Sequence, residues 1–521
     1  MGIYLNPGFD NLMTDRRGDN YIDKSMLIKE LNGFIGKSDP LICVSRPRRF
    51  GKTMAANMIC AYYTKGCNSH EAFRGLKIAD DPSFEEHLNR YNVIKFDCGG
   101  MYNGKGKNST VVDYLTERIV SELRQNFKEV DIPADYSLAN AMQMIYAHTG
   151  IKFVIVIDEY DYVVRAGDKK ELDGLISLYY DLFKNNDNRE MIALAYMTGI
   201  LPIIRDSFQS KLNNFRQFTM VDAEQFAPFM GFTREETEYL AEKSGMDMAE
   251  LERWYDGYCV NGIELYSPKS VIEAADNRKC DDYWTQTGSY DAVRIPIELD
   301  LYGIRDDVQK MMTGTPVYVS VSSYENRMDS FRSRDDVFTY LIHLGYLAYD
   351  ADEGKCRIPN NEIKGDWEYA VRSSEVYRSF ARIAESSRDL LDATISLDAQ
   401  AVAEGLSKSH ELMTSNMSYN NEQSLQSAIM LAYFYAYSYY TVIPECPAGK
   451  GYADVIMIPA VPGKPALVIE LKRDKTAEEA MEQIKSRSYP SALEKYRGNT
   501  VLVAVNYDSK TKIHTALLER A

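Results

Sequence analysis

The chain has 521 residues, of which 45% are apolar and 26% charged, an ordinary globular composition that is long enough for about three to five domains. Its net charge of −16 excludes a protein that coats DNA through a uniformly basic surface. From Lys464 onward, 11 Lys and Arg stand against 8 Asp and Glu, a net +3, so the preceding part carries −19. The uneven distribution of charge is therefore compatible with a local basic groove near the C-terminus.

The sequence predicts a cytoplasmic protein without a membrane partner. The first 20 residues lack the apolar core of a secretory signal. The longest apolar stretch, residues 429–443, is too short and too rich in tyrosine to span a bilayer. The eight cysteines form no Cys-x-x-Cys pair, which is typical of reduced thiols and excludes zinc spacing. Any catalytic metal should then be a hard cation held by carboxylates.

Four apolar runs in the first 200 residues are typical of buried strands. They cover residues 41–44, 91–98, 153–157 and 192–197, and helical patterns lie between them, as at 54–63 and 111–127. Continuous apolar runs that alternate with helices predict a parallel sheet covered on both faces, and so the α/β class.

Residues 46–53, Arg-Pro-Arg-Arg-Phe-Gly-Lys-Thr, follow the first predicted strand and precede a helix. Gly51, Lys52 and Thr53 match the second half of a phosphate-binding loop, in which the lysine reaches the β- and γ-phosphates and the hydroxyl ligates Mg²⁺. Arg46 stands where that motif has its first glycine. A turn that happens to begin a helix with these residues is the alternative.

The third predicted strand ends in Asp158 and Glu159. In P-loop ATPases an acid at this place holds the Mg²⁺ shell, and a following glutamate polarises the attacking water. A strand that ends in acidic turn residues is the alternative, but the two features in this order favour an ATPase. The other loop residues expected at the nucleotide are Pro47, Arg48, Arg49 and Phe50, although the two arginines could instead bind nucleic acid or pair with acids.

A second constellation lies near the C-terminus. Glu470 and Lys472 project to the same side of a predicted strand because strands alternate faces, and Asp454 lies in the paired strand before a hairpin. Two carboxylates beside a lysine are what Mg²⁺-dependent phosphodiester hydrolysis needs. A solvated charged face is the alternative. The surrounding strands are very apolar, however, so acids there are costly unless they are ligated or paired.

Two further residues join this constellation. Glu422 opens a helix with apolar residues at 425, 429, 432 and 436, and it lies on that same inward face. Gln483 lies on the helix that follows the Glu470 strand.

Six segments together resemble a predicted AAA-ATPase-like family over about residues 3–290: RPRRFGKT (46–53), DEYD (158–161), YMTGI (196–200), LNNF (212–215), WYDGY (254–258) and YWTQTGS (283–289). The resemblance implies that Arg46 is the family's own form of the loop. It also implies that Thr198 occupies the sensor position near the γ-phosphate and that Arg205 is a candidate trigger arginine. A solvated helix charge is the alternative for Arg205.

Residues from about 375 to 521 resemble the PD-(D/E)XK nuclease fold, in the version often fused to that ATPase family. On this resemblance the catalytic set is Glu422, Asp454, Glu470 and Lys472, with Gln483 in support, and Asp454 and Glu470 hold the metal. Tyr452 stands where the family often has an arginine.

The predicted organisation is an ATPase core (1–230), a helical lid or connector (231–370) and a smaller α/β restriction-endonuclease-like domain (371–521). The connector includes a winged-helix-like stretch at 334–357, with a helix, a strand at 345–347 and a turn. ATP and Mg²⁺ are the expected cofactors, with Mn²⁺ as an alternative at the nuclease site.

The expected function is ATP hydrolysis that gates the cutting of nucleic acid, DNA in preference to RNA, in bacterial defence or mobile-element biology. The alternative is a nucleotide-dependent switch or scaffold whose nuclease-like domain binds nucleic acid or protein without cutting. Homo-oligomerisation is left open. A GTPase is disfavoured because no base-reading Asn-Lys-x-Asp motif is present.

Overall fold

The computed structural model describes residues 2–203, 212–284, 291–298, 301–324, 331–373, 378–413, 422–448, 451–461, 463–486 and 491–521. The chain forms two compact units. The N-terminal unit comprises Met1–Val293, Leu301–Gly303 and Pro316–Asp366, and the C-terminal unit comprises Arg294–Asp300, Ile304–Thr315 and Trp367–Ala521. The predicted boundaries near 230 and 370 stay predictions.

A five-stranded sheet in the order β2-β3-β4-β1-β5 forms the centre of the N-terminal unit, and every strand pairs in parallel with its neighbours. Its strands are β1 (Leu41–Ser45), β2 (Asn92–Asp97), β3 (Phe153–Asp158), β4 (Ile192–Gly199) and β5 (Arg216–Phe218). The first four are the four predicted strands, so the predicted parallel sheet and the α/β class are confirmed.

Both faces of this sheet are covered. Ile155 and Ile157 of β3 belong to one buried apolar cluster, whereas Val154 and Val156 belong to another on the opposite face. This is the arrangement that continuous apolar strands require. The helices described before β5 are Asp10–Asp15, Leu27–Asn32, Lys52–Tyr63, His70–Phe73, Phe84–His87, Cys98–Gly104, Val111–Asn126, Leu138–Thr149, Tyr162–Ala166, Lys169–Phe183 and Asn186–Arg189.

Two small antiparallel sheets follow in the same unit. The first has the order β6-β8-β7, and the second has the order β10-β11-β9. Their strands are β6 (Phe232–Thr233), β7 (Tyr258–Val260), β8 (Ile263–Tyr266), β9 (Val317–Tyr318), β10 (Ala348–Asp350) and β11 (Lys355–Arg357). The helices of this part are Arg234–Ser244, Met248–Tyr255, Pro268–Asn277 and Arg334–Leu344, and helix Asp291–Glu298 crosses the boundary between the units.

The strand predicted at 345–347 is wrong. Gly345 has φ 89° and ends the helix Arg334–Leu344, and the N–H of Tyr346 donates back to the carbonyl of Leu341 at 2.9 Å. A helix that closes in this way holds its next residues against its last turn. The strand therefore begins only at Ala348.

The C-terminal unit is built on a five-stranded mixed sheet in the order β12-β13-β14-β15-β16, in which only β14 and β15 are parallel. Its strands are β12 (Tyr440–Ala448), β13 (Gly451–Pro459), β14 (Ala466–Arg473), β15 (Thr500–Asp508) and β16 (Ile513–Arg520). Helix Ala477–Ser486 makes the crossover that a parallel pair needs. Helix Asn361–Ser373 begins in the N-terminal unit and ends in this one. The other helices of this unit are Arg305–Met312, Arg378–Ile395, Ala399–Met413 and Glu422–Ala432.

None of the helices in the described ranges combines the length and the apolar composition that a bilayer crossing requires.

Candidate functional site

Strand β1 leads directly into the loop of residues 46–53, which we call the phosphate loop, and helix Lys52–Tyr63 leaves it. Gly51 has φ 87°, a left-handed conformation that glycine adopts without steric cost. The loop thus places the N-terminus of a 12-residue helix at the carboxyl edge of the sheet. Such a helix end is a favourable place for an anion.

Lys52 is held inside the phosphate loop. Its Nζ donates to the carbonyl oxygens of Arg46 at 3.0 Å and Pro47 at 2.7 Å, and the residue is only 8% exposed. Burial lowers the pKa of Lys52 to about 8, against the opposing effect of nearby carboxylates, the largest from Asp161. The lysine therefore sits where a phosphate oxygen could replace the two carbonyls.

Thr53 and Asp158 come together although 105 positions separate them. The hydroxyl of Thr53 donates to Oδ2 of Asp158 at 2.7 Å. Asp158 is 3% exposed at the end of β3, and burial raises the pKa of its carboxyl group. A hydroxyl and a carboxylate side by side fit the all-oxygen ligand set of Mg²⁺.

Glu159 follows in a left-handed conformation, with φ 48°. Its side chain is 43% exposed, and its Oε2 lies 3.7 Å from Nη2 of Arg165. Burial raises the pKa of Glu159, and the charge of Arg165 opposes that shift. The carboxylate of Glu159 therefore faces solvent beside the loop, where it could contact a water molecule.

The outer loop residues have several separate contacts. Arg48 is exposed, Pro47 is buried, and Nη1 of Arg49 donates to the carbonyl of Tyr283. The ring of Phe50 is buried, with its centroid 5.6 Å from that of Tyr258 and 6.5 Å from that of Trp284. Arg49 and Phe50 therefore connect the loop to the segments that carry the WYDGY and YW sequences.

Arg46 and Thr198 point into the protein. Nη1 of Arg46, which is fully buried, donates to the carbonyls of Ser45 at 2.8 Å and Phe218 at 3.3 Å. The hydroxyl of Thr198 donates to the carbonyl of Val44 at 3.0 Å. Arg46 thus fixes the start of the loop to β5, and Thr198 fixes β4 to β1. The candidate trigger residue Arg205 lies outside the described residues.

A cavity of about 80 Å³ opens beside Gly51, at the first turn of the helix that follows the loop. Sequence reasoning missed it because its walls come from three distant parts of the chain. Most of its lining is apolar, and it consists of Leu12, Asp15, Asn20, Tyr21, Ile22, Lys24, Phe50, Gly51, Met54, Ala55, Met58, Phe229, Gly231, Phe232, Pro268 and Ile272.

The second site lies in the C-terminal unit, where β13 and β14 separate. Oδ2 of Asp454 accepts from the backbone N–H of Leu471 at 2.7 Å, so its carboxylate lies against the backbone that directly follows Glu470. Nζ of Lys472 donates to Oε1 of Glu470 at 3.2 Å, and the Glu470 side chain is 1% exposed. The structure thus brings Asp454, Glu470 and Lys472 together, and we call them the carboxylate–lysine site.

The other two predicted residues, Gln483 and Glu422, are located by the helices that carry them. Gln483 is half-buried on the crossover helix Ala477–Ser486, which packs on β14 and β15. Glu422 begins helix Glu422–Ala432, and its side chain lies outside the described residues, as does that of Tyr452. The neighbouring amide of Gln426, which sequence reasoning missed, donates to the carbonyl of Asp454 at 2.6 Å.

Among the described residues, no group of three or more His, Cys, Asp or Glu side chains is placed to hold a metal ion. Asp454 and Glu470 supply two carboxylates, and a buried carboxylate is stable only with a counter-charge or ligand. The donor chemistry of this pair fits a hard divalent cation.

The fold and these geometries define an α/β protein with an ATPase-like and a nuclease-like part. Residues 8–209 match the family described as predicted AAA-ATPase, and residues 420–516 match the PD-(D/E)XK nuclease superfamily. Both resemblances predicted from the sequence motifs are therefore confirmed, in the predicted order along the chain.

The chain is 24% identical over 384 residues to an uncharacterized protein encoded in the vnfD 5' region of Azotobacter chroococcum mcd 1, covering 70% of this chain and 69% of that protein. Two solved structures also align. A Walker-type ATPase of Pyrococcus abyssi has 12% identity and a TM-score of 0.34, covering 66% of this chain and 94% of that one. The ORC2 protein of Aeropyrum pernix, in its ADPNP–ADP complexes, has 10% identity and a TM-score of 0.29, covering 68% and 95%. Structural similarity this weak indicates nothing about a site or an activity.

Proposed function

We propose that the N-terminal unit binds and hydrolyses ATP and that the C-terminal unit is a metal-dependent nuclease, acting on DNA in preference to RNA, whose cutting depends on ATP turnover. The observation that carries the ATPase proposal is the hydrogen bond of 2.7 Å between Thr53 and Asp158, beside the buried Lys52. This pair comes from the two motifs that the ATPase chemistry requires, and a chance turn would have no reason to join them.

Each residue of this nucleotide site (Lys52, Thr53, Asp158 and Glu159) has a distinct role in the proposal. Thr53 and Asp158 would hold Mg²⁺, which when bound neutralises charge on the triphosphate. Lys52 exchanges its two carbonyl partners for oxygens of the β- and γ-phosphates. Glu159 orients a water molecule and accepts its proton as the water oxygen attacks the γ-phosphorus. The bond from that phosphorus to the bridging oxygen breaks, so that ADP and phosphate leave.

The 80 Å³ cavity supports ATP as the ligand because Gly51 of the phosphate loop lines it, whereas Asp158 and Glu159 do not. Its apolar lining by residues such as Met54, Met58 and Ile272 suits the flat face of a purine base, which loses contact with water on binding. Lys24, which also lines the cavity, is half-buried and paired with Glu236. We assign the cavity to the base of the nucleotide.

In the C-terminal unit, Asp454 and Glu470 would hold Mg²⁺ or Mn²⁺, which when bound supplies Lewis-acid chemistry for phosphodiester hydrolysis. Lys472 is 12% exposed in its side chain, so its ammonium group can stabilise negative charge that develops on the phosphate while it remains paired with Glu470. Gln483 and Glu422 would support this set. We place the protein in the cytoplasm, without a membrane partner and with the oligomeric state open.

The test is a panel of single- and double-stranded DNA, RNA and supercoiled plasmid, incubated with Mg²⁺ or Mn²⁺ and with or without ATP. We expect cleavage of at least one substrate that increases with ATP and disappears in Asp454→Ala. Binding of nucleic acid without any cleavage, unaffected by Asp454→Ala, would instead support the nucleotide-dependent switch or scaffold.

A further inference from the structure

Arg165 lies beside the nucleotide site on the short helix Tyr162–Ala166, which begins three residues after Glu159. Its Nε donates to Oδ2 of Asp161 at 3.0 Å, and its Nη2 lies 3.7 Å from Oε2 of Glu159. Its guanidinium group also lies over the ring of Tyr162, 5.4 Å from the centroid. The side chain is only 14% exposed. An arginine whose only role is solubility would be exposed to solvent. The low exposure and the contacts of Arg165 therefore indicate a guanidinium group that is held in one position.

Asp161 fixes Arg165 to the sheet. Its carboxylate is 1% exposed, and its Oδ2 accepts from the backbone N–H groups of Ile200 at 3.1 Å and Leu201 at 3.0 Å, just beyond β4. A buried carboxylate with two backbone donors has little freedom to move, since each lost hydrogen bond leaves an unsatisfied polar group. The backbone after β4, Asp161 and Arg165 therefore form one connected support.

Glu159 lies at the other end of this support, close to Gly99. A Cβ atom added at Gly99 would lie 2.8 Å from Oε2 of Glu159 and 2.9 Å from Cδ2 of Tyr162, so a side chain there would displace one or both of these groups. The backbone of Glu159 has φ 48°, which a residue with a side chain adopts only when its surroundings hold it there. The carboxylate of Glu159 thus has Gly99 on one side and Arg165 on another, and the rest of its side chain, which is 43% exposed, faces solvent.

We propose that Arg165 is a positioning residue for ATP hydrolysis and holds the carboxylate of Glu159 in the orientation in which it directs the attacking water. This inference rests on the proposed ATPase function. The guanidinium group acts through Glu159, and ATP binding uses other residues. Loss of Arg165 should therefore slow turnover without weakening the binding of ATP.

The experiment compares Arg165→Gln, Arg165→Lys and Arg165→Ala with wild type in the full chain, with Mg²⁺ and saturating ATP. Proton transfer by a positioned base contributes about 10²–10⁴-fold to a rate, so we expect kcat to fall at least about tenfold in Arg165→Gln while KM for ATP stays within about threefold. Arg165→Lys should retain part of the lost rate. Ethylguanidine added to Arg165→Ala should restore kcat, because it can occupy the vacated position.

Arg118→Gln is the matched control. Arg118 also lies on a helix with its guanidinium group over a tyrosine ring, 5.0 Å from the centroid of Tyr114, but it is exposed and lies far along the chain from β4. We expect it to leave kcat unchanged. Gly99→Ala is a second variant that keeps the arginine and intrudes on Glu159, and it should lower kcat in the same way if Arg165→Gln fails to fold.

Three results would overturn the inference: an unchanged or higher kcat in Arg165→Gln, a rise in KM alone, or a loss of rate in Arg165→Ala that ethylguanidine leaves unrestored. If wild type hydrolyses ATP and Lys52→Ala does not, such a result overturns the role of Arg165 only. If wild type itself shows no hydrolysis, the proposed ATPase function falls together with this inference.

Discussion

The nucleotide site draws its side chains from the loop after β1 and the end of β3, two strands separated by β4 in the sheet. The carboxylate–lysine site draws its three side chains from β13 and β14, which are neighbours joined by a short connection. Only the long-range topology of a parallel sheet brings the first set together, whereas a local hairpin suffices for the second. A substitution in one site should therefore leave the geometry of the other site unchanged.

The largest expected effect is that of Lys52→Ala on ATP hydrolysis. Loss of a preorganised donor that stabilises transferring charge costs about 10²–10³-fold in rate, so we expect a fall of at least that size. Lys65→Ala, an exposed lysine just after the same helix, is the matched control and should keep full activity. Steady-state phosphate release measures both, and retained turnover in Lys52→Ala would refute the phosphate-loop assignment.

Glu470→Gln tests the other site and should leave ATP hydrolysis at the wild-type rate. The amide keeps the shape but removes the charge that a divalent cation needs, so we expect the loss of Mn²⁺ binding to the C-terminal unit, measured by calorimetric titration without nucleotide. The exposed Glu479→Gln on the crossover helix is the control. Unchanged Mn²⁺ binding in Glu470→Gln would contradict the metal role of this residue.

A third prediction concerns buried acids and sharpens the contrast between the units. Glu470 has Lys472 at 3.2 Å, whereas burial, reinforced by the charge of Asp282, raises the pKa of Asp366 in the N-terminal unit to about 7. Between about pH 4 and 7 the folded state holds a proton that the unfolded state has lost. The free energy of unfolding therefore falls as pH rises through this range and levels off above it.

Asp366→Asn should remove the part of this dependence that comes from Asp366. At about 1.4 kcal/mol per pKa unit, the stability of wild type relative to Asp366→Asn should fall by on the order of 3 kcal/mol between pH 5 and pH 8. Urea unfolding followed by circular dichroism measures the difference, and exposed Asp352→Asn is the control. A difference that is equal at both pH values would show that Asp366 has an ordinary pKa.

The smallest expected effect concerns the cavity assigned to the base. Met54 lines it and is 42% exposed, so Met54→Ala should remove some apolar contact without unfolding the core. At about 25 cal/mol per Å² of apolar area we expect a three- to fivefold rise in the Kd for ATP. The Kd for inorganic tripolyphosphate, which has no base, should stay the same. An equal rise for both ligands would place the base elsewhere.

The sequence predicted what depends on local pattern. Apolar runs predicted β1 to β4, and the alternation of strand faces predicted that Glu470 and Lys472 project to the same side, where a hydrogen bond of 3.2 Å joins them. Strand β5 was missed because its three residues, Arg-Gln-Phe, contain no apolar run and only the last is buried. These residues form a strand because they pair in parallel with β1.

The cavity and the contacts of Arg165 could not be predicted, because they depend on how the folded chain places separate residues around each other. The cavity joins residues 12–24 to residues 229–272, and no spacing in the sequence indicates that these segments meet. Arg165 could be taken for a solvated helix charge until its partners Asp161 and Glu159 are placed around it. The roles of all these site residues stay predictions that the substitutions above would test.

One measurement tests the central claim most directly: ATP hydrolysis and nucleic-acid cleavage assayed side by side for wild type, Lys52→Ala and Asp454→Ala. We predict that wild type does both, that Asp454→Ala hydrolyses ATP but cuts nothing, and that Lys52→Ala loses hydrolysis together with ATP-stimulated cleavage. Cleavage retained in Asp454→Ala, or no hydrolysis by wild type with Mg²⁺, would contradict the account of two sites with separate chemistry in one chain.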